Sequence, residues 1–299
     1  MGFSIIALLL VTAVLAAAWH FSNLVLHPDT RSPESVYALE MEKNHFPAEL
    51  FESWPQEGVT LTSPYGYSLS GMYVPLEGSH KTVLILHGIK ANRFSMVKYG
   101  VLFRELGFNL LLVDHRNHGL SGGDNTSYGF YEKDDTKVWM DWAFNRCPDC
   151  IVGTQGESMG AAIALQHAAI DPRVAFVVAD CPFAYFKKEL AYRLNVEYHL
   201  PPFPLLPAAE LLIQLRAGFS LGKVSPLDAV ASIKAPVLFV HGQEDSFIPP
   251  QDSKTLYEAK QGLKQLYLVP GAEHVESLPT DPEGYRQALI KFFEAAGIH

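Results

Sequence analysis

The chain has 299 residues, 48% of them hydrophobic, and 32 Asp and Glu outnumber 23 Lys and Arg to leave a net charge of −9. That length can bury one large α/β core, and an acidic balance with no Lys/Arg cluster excludes nucleic acid as a main partner. Three cysteines are too few for a disulfide-dense secreted scaffold.

Residues 3–21 contain no Asp, Glu, Lys or Arg. A helix rises about 1.5 Å per residue, so this run approaches the roughly 30 Å hydrocarbon core of a bilayer. The favoured reading is a single transmembrane anchor over residues 1–26, which makes the membrane a partner. A secretory signal is the alternative, because Ala16-Ala17-Ala18 offers small residues of the cleavage type; against it, no Lys or Arg precedes the run and the run is long for a signal core. Arg31 is the sole nearby basic side chain, so charge leaves the orientation open. The expected location is the cell membrane, with the extracytoplasmic side favoured for the rest of the chain. Residues 27–54, polar and marked by Pro28, Pro33 and Pro47, read as a tether.

Residues 55–299 read as a single α/β domain. Residues 58–62 and 68–74 form a hairpin around Ser63-Pro64-Tyr65-Gly66. Strands at 82–87, 109–114, 151–155, 174–179, 237–240 and 266–269 then alternate with helices at 95–106, 132–144, 252–260 and 282–296, and a further helix follows 151–155. Continuous apolar strands between helices predict a mostly parallel sheet covered on both faces. Residues 184–222 break the alternation. They are rich in leucine and aromatics and contain Pro201-Pro202-Phe203-Pro204 and Pro207, which predicts a short helical cap over the strand ends; a long crossover is the alternative.

Gly156-Glu157-Ser158-Met159-Gly160 lies where an apolar strand, Ile151-Val152-Gly153-Thr154, gives way to the helix formers Ala161-Ala162-Ile163-Ala164-Leu165. A serine on such a turn is presented as a nucleophile, and the glycines avoid collision with the neighbouring strand and helix. A serine hydroxyl needs a base, and the base needs an orienting carboxylate. Asp245 in His241-Gly242-Gln243-Glu244-Asp245 and His274 in Pro270-Gly271-Ala272-Glu273-His274 each follow a strand, at the edge where open parallel sheets build their sites. Asp180 is the second choice for the acid; Glu244 and Glu273 are weaker competitors. The Met159 N–H at the helix start and the Ile89 N–H after His87-Gly88 are the candidate oxyanion donors. His87, His115 and His118 read as structural. Cys147-Pro148-Asp149-Cys150 lacks the second pair a zinc site needs, leaving a local disulfide or two thiols, with Cys181 in the core. No metal or other cofactor is expected.

Taken together, His87-Gly88, Asp114-His115-Arg116-Asn117-His118-Gly119-Leu120-Ser121, Gly156 to Gly160, His241 to Asp245 and Gly271 to His274 resemble the successive signatures of the α/β-hydrolase superfamily, over residues 55–296. The resemblance is to its serine-aminopeptidase-like and monoacylglycerol-lipase-like branch, in a membrane-anchored bacterial form. It implies an α/β-hydrolase fold in which the loop from Asp114 to Ser121 is structural; Asn117 stands where that loop usually has glycine, a change that asparagine tolerates in left-handed backbone. Ser127 to Asp134 also resembles the anchored subgroup.

The expected function is a serine hydrolase cleaving carboxylic esters of short to medium or lipid-derived acyl groups through an acyl-enzyme on Ser158, with Asp245 and His274 completing the set. The apolar cap residues Leu194, Leu200, Phe203, Leu205, Leu206, Leu211 and Leu212 favour acyl or aryl groups, and Tyr128, Phe183 and Phe203 are the candidates for the substrate pocket. The alternatives are a serine aminopeptidase or amidase, for which Glu189, Glu197 and Glu210 are unplaced acidic groups, and a non-catalytic membrane-anchored binding protein with a hydrolase fold. Oligomeric state is not legible.

Overall fold

The computed structural model describes residues 2–45 and 47–298. Helix α1 (Gly2–Leu26) is followed by α2 (Pro33–Glu42) and α3 (Ala48–Ser53). The segment read as a tether is therefore largely helical. Ser32 caps α2 by accepting from the Ser35 N–H, and Pro33 takes the first helical position, where its missing N–H costs nothing. The α2 residue Val36 is buried, and the rings of Tyr37 and Phe51 meet Phe94 at 5.4 and 6.4 Å. Consecutive apolar residues in α2, from Val36 to Leu39, spread around the helix instead of forming one stripe, and α3 is a single short stretch, so these helices carry little periodic signal in the sequence.

The hairpin β1 (Glu57–Thr62) and β2 (Ser68–Val74) leads into β3 (Lys81–Leu86), α4 (Val97–Glu105), β4 (Asn109–Val113), α5 (Glu132–Arg146), β5 (Ile151–Glu157), α6 (Met159–Ala168) and β6 (Val177–Asp180). The cap follows as α7 (Phe186–Tyr198) and α8 (Pro202–Ala217), then α9 (Pro226–Val230), β7 (Val237–Gly242), α10 (Gln251–Ala259), β8 (Lys264–Val269), α11 (Ser277–Thr280) and α12 (Pro282–Ala296). Strand β6 starts three residues later than expected. Pro202 takes the first position of α8, where proline is best tolerated, and Pro207 follows inside the helix, so the proline-rich stretch opens a helix.

The eight strands run in the order β1-β2-β4-β3-β5-β6-β7-β8. The β1-β2 and β2-β4 pairs are antiparallel and the remainder parallel. Strand side chains alternate between faces, so Leu84, Leu86, Leu111 and Val113 join one core with α5, α6 and the cap. Val83, Ile85, Leu110 and Leu112 join the other with α4 and α12.

Helix α1 extends five residues beyond the apolar run that marked it, and those residues dock on the domain. Ala18, Ser22 and Leu26, one helical face at i, i+4 and i+8, are buried, with α8 in contact. Arg216 of α8 donates to Ser22 Oγ at 2.7 Å and Asn23 Oδ1 at 3.1 Å, and its guanidinium lies 4.2 Å from the Trp19 ring. The carbonyls that every helix leaves unpaired at its C-terminus are met here by the domain. Leu26 O accepts from Thr126 N at 2.9 Å and from Asn117 Nδ2 at 3.4 Å, and Val25 O accepts from Tyr128 Oη at 3.1 Å. Asn117 is in left-handed backbone, φ 59°, and its amide reaches a carbonyl that a glycine could not.

Candidate active site

Ser158 sits at the junction of β5 and α6 with φ 55° and ψ −116°, a conformation that non-glycine residues avoid. Its N–H is held by Asp180 O at 2.8 Å. The flanking glycines are sterically required. A Cβ on Gly156 would lie 2.3 Å from Gly160 O, and one on Gly160 would lie 2.0 Å from Leu86 O.

His274, on the loop after β8, places Nε2 3.0 Å from Ser158 Oγ and Nδ1 2.7 Å from Asp245 Oδ2. Asp245, on the loop after β7, is buried. The carboxylate accepts at Nδ1, so Nδ1 carries the proton and Nε2 is free to accept from the serine hydroxyl. Asp245 Oδ1 accepts from the Phe247 and Ile248 amides, both at 2.9 Å. His241, buried on β7, approaches Asp245 Oδ2 at 3.2 Å while bonding Ser253 Oγ and Ile248 O. Burial alone would raise the Asp245 pKa, but hydrogen bonds from His241 and His274 outweigh it and hold the carboxyl at about 2. His241 was visible in the sequence only as part of the motif around Asp245; its support of the acid is a tertiary fact.

Asp180, the second choice for the acid, is engaged elsewhere. It accepts from Tyr99 Oη at 2.9 Å and Ser277 Oγ at 2.9 Å, and burial together with Glu157 pushes its carboxyl up. Tyr99 Oη also contacts Glu157 Oε1 at 2.8 Å, and Lys98 Nζ pairs with Glu157 at 2.7 Å while donating to Val275 O at 3.1 Å. This buried network ties the serine turn to the histidine loop from beneath.

The loop after β3 carries Ile89, which lines the same cavity as Ser158 and Met159. Three histidines support it. His87 bonds Gly88 O at 2.7 Å and accepts from His115 N at 3.0 Å, and His118 Nε2 accepts from Lys90 N at 3.2 Å. Burial lowers all three imidazoles, His87 and His115 far below the usual range, which favours the neutral form that can accept.

The cavity over Ser158 has a volume of about 290 Å³, near the lower end for small-molecule sites. Tyr128 and Phe183 line it, as expected from the sequence, together with Leu194, Leu205 and Leu206 of the cap. Phe203 does not. Its backbone is extended, φ −95° and ψ 134°, ahead of the helical part of α8, so its side chain leaves the lining face of that helix and is 77% exposed. Another part of the lining comes from the end of α1, Phe21, Leu24 and Val25, with Pro28 just beyond it, and no pattern in the sequence points to it. Glu189 and Glu197 also line the cavity, whereas Glu210 pairs with Lys187 at 2.7 Å away from that lining.

Among the described residues, two clusters each bring three possible metal donors within 4.8 Å of one another. In His80, Cys147 and Cys150 the two sulfurs are joined as a disulfide, which removes the thiolates a metal would need. In Cys181, Asp245 and His274 the last two bond each other, and burial pushes the Cys181 thiol up. Neither donor set fits a metal ion.

The alpha/beta hydrolase fold family matches residues 81–212. The uncharacterized protein YqkD of Bacillus subtilis (strain 168) is 40% identical over 288 residues, covering 95% of this chain and 94% of its own. The uncharacterized protein YfhR of Escherichia coli (strain K12) is 26% identical over 258 residues, 82% of this chain and 83% of that one. Among solved structures, the Pyrococcus furiosus esterase Pf2001 superposes with a TM-score of 0.68 at 26% identity, over 84% of this chain and 95% of that chain. A family match across the central strands and a likeness to YqkD that runs nearly end to end agree with the strand order, and the chain belongs to the alpha/beta hydrolase fold family.

Proposed function

We propose that the protein is a serine hydrolase that cleaves carboxylic esters, with Ser158 as nucleophile, His274 as base and Asp245 as its orienting acid. The reading rests on the hydrogen-bonded chain from Ser158 Oγ through His274 to Asp245. His274 Nε2 takes the hydroxyl proton as Ser158 Oγ attacks the ester carbonyl. The Ile89 and Met159 N–H groups donate to the oxyanion, the second with the favourable field of a helix N-terminus. His274 then gives the proton to the leaving alcohol oxygen, which departs, and water enters by the same general base to release the acid and regenerate Ser158.

An apolar lining and a volume of about 290 Å³ favour short to medium acyl groups. The likeness to the Pf2001 esterase supports ester chemistry. Residues 1–26 serve as a single-pass anchor: α1 passes the length and apolarity a membrane span needs, with its end from Ala18 to Leu26 held on the domain and the part before it free to enter the bilayer. Exposed apolar side chains continue from Leu15 and Trp19 of α1 to Leu211 and Leu215 of the adjoining α8, as a membrane-seated cap requires. The Cys147–Cys150 disulfide favours the extracytoplasmic side.

Labelling with a fluorophosphonate probe, alongside a p-nitrophenyl ester series and an aminoacyl amide, tests this reading. Wild-type protein is expected to label and to turn over short esters. Ser158→Ala loses labelling and falls in kcat by on the order of 10⁴-fold or more. A folded wild type that does not label would sink the reading in favour of a binding protein, and turnover restricted to the aminoacyl amide would replace the esterase with an amidase.

A further inference from the structure

The bonded pair Cys147 and Cys150 takes no part in the steps at Ser158. It lies at the other end of the same strand: Cys150 immediately precedes β5, and the seven residues of β5 put roughly 20 Å between it and the serine turn. A disulfide stabilises a fold largely by closing loops of the unfolded chain, and the gain shrinks with the loop. A separation of three residues leaves this one little to constrain. The backbone around it is held without the sulfurs. Cys147 N donates to Ala143 O at 3.0 Å at the end of α5, Cys150 N donates to Cys147 O at 3.2 Å, and Ile151 N donates to His80 O at 2.9 Å where β5 pairs with β3. Such a frame lets the sulfur bond open without taking the fold with it.

The two sulfurs differ in what can reach them. Cys147 is half-buried among the exposed residues Asn145, Arg146, Pro148 and Asp149, whereas Cys150 is 6% exposed and belongs to the core. An incoming thiolate meets Cys147 first, and access decides which sulfur is attacked. Charge points the same way. Cys147 caps the C-terminus of α5, where unpaired carbonyls disfavour a thiolate, so the electron pair is released on Cys150. Burial disfavours a thiolate there too, and the departing sulfur needs a proton. His80, exposed to solvent, brings a ring nitrogen within 4.8 Å of both sulfurs, and an imidazolium can supply it.

We propose that Cys147 and Cys150 form a second reactive site, a disulfide that exchanges with the dithiol of a partner, in which Cys147 is attacked, Cys150 leaves and His80 protonates it. One thiolate of the dithiol attacks Cys147 Sγ, the bond between the cysteines breaks, and Cys150 takes the His80 proton. The second thiol of the reductant, as thiolate, then attacks its own sulfur in the mixed disulfide and releases Cys147. The two protons given up by the reductant restore His80 and protonate Cys147, so two electrons and two protons pass to the cysteine pair and the reductant leaves as a disulfide. The site does not depend on the ester-hydrolase reading.

The test uses the full-length protein in detergent without denaturant, with dithiothreitol as the dithiol and maleimide alkylation read by mass spectrometry at Cys147 and Cys150. The wild-type disulfide is expected to open in dithiothreitol and to re-form in oxidised glutathione, with circular dichroism and fluorophosphonate labelling of Ser158 unchanged. His80→Gln slows the opening by about tenfold or more. In Cys150→Ser, Cys147 forms a mixed disulfide with glutathione at least about tenfold faster than Cys150 does in Cys147→Ser. A disulfide that opens only once denaturant is added, or whose opening unfolds the protein, is a structural staple and overturns the site. Equal rates in the two Ser variants, or an opening rate unmoved by His80→Gln, overturn it as well. Reduced protein that takes up zinc in place of re-forming the disulfide assigns the three side chains to a metal and overturns exchange.

Discussion

Asp245 and Glu189 are both buried carboxyls, and their surroundings drive their pKa values apart. Asp245 receives two backbone amides and two imidazoles and stays ionised down to about pH 2; no donor reaches Glu189 Oε1, and that carboxyl holds its proton up to about pH 8. Such divergence separates an electrostatic role from a neutral hydrogen-bonding one. For Glu189 the linkage has a definite sign. Its folded pKa lies above the unfolded value of 4.5, so its contribution to stability is intact below about pH 4.5 and is lost as pH rises toward 8, because the unfolded chain releases the proton first. Glu189→Gln removes that loss. Its stability relative to wild type is expected to increase between pH 5 and pH 8 by on the order of 3 kcal/mol, measured by urea unfolding at both values. A difference that is flat with pH would mean that Glu189 ionises normally in the fold.

Among the elements, the β5–α6 turn depends on a helix distant in sequence. Ser158 and Val275 both hold positive φ, 55° and 60°, which costs each about 1–2 kcal/mol for a side chain bearing Cβ. Lys98 on α4 reaches both segments, pairing with Glu157 beside the serine and donating to the carbonyl of Val275 beside the histidine. Breaking a buried pair leaves a lone charge in a medium that cannot solvate it. Lys98→Met is therefore expected to lower the unfolding free energy by about 3–5 kcal/mol at pH 7, read by chemical denaturation. A loss below about 1 kcal/mol would show that Glu157 takes up a proton and that Tyr99 alone holds it.

At the scale of the molecule, the chain folds its first helix back into its own cavity. Tyr128 donates to Val25 O at the point where both residues line the chamber, so α1 is a wall as well as an apolar segment. Enlarging that wall should shorten the accepted acyl group. Val25→Phe is expected to lower kcat/KM for p-nitrophenyl hexanoate relative to the acetate by about tenfold or more, with an equal fall for both esters arguing that the acyl chain lies elsewhere.

Much of this was open to reading from the chain alone, because the signals are local. Continuous apolar strands between amphipathic helices specify a parallel sheet. Gly156 and Gly160 are demanded by contacts below 2.5 Å that any Cβ would make, and the loops bearing Asp245 and His274 fall at strand ends whatever the details of packing. The acid could be named but not separated from Asp180, since that choice rests on which carboxyl meets the His274 ring across 29 residues of chain. The two helices in residues 33–53 have no periodic stripe to mark them, and the side-chain direction of Phe203, which the fold turns outward, is not carried by composition. The sequence by itself determined the sheet, the cap and which serine and histidine fall at strand ends, all written in patterns a few residues long. Only the tertiary structure decided that α1 walls the cavity and that His241 backs Asp245, because hydrogen-bond satisfaction and cavity walls depend on segments that meet only once the chain is packed.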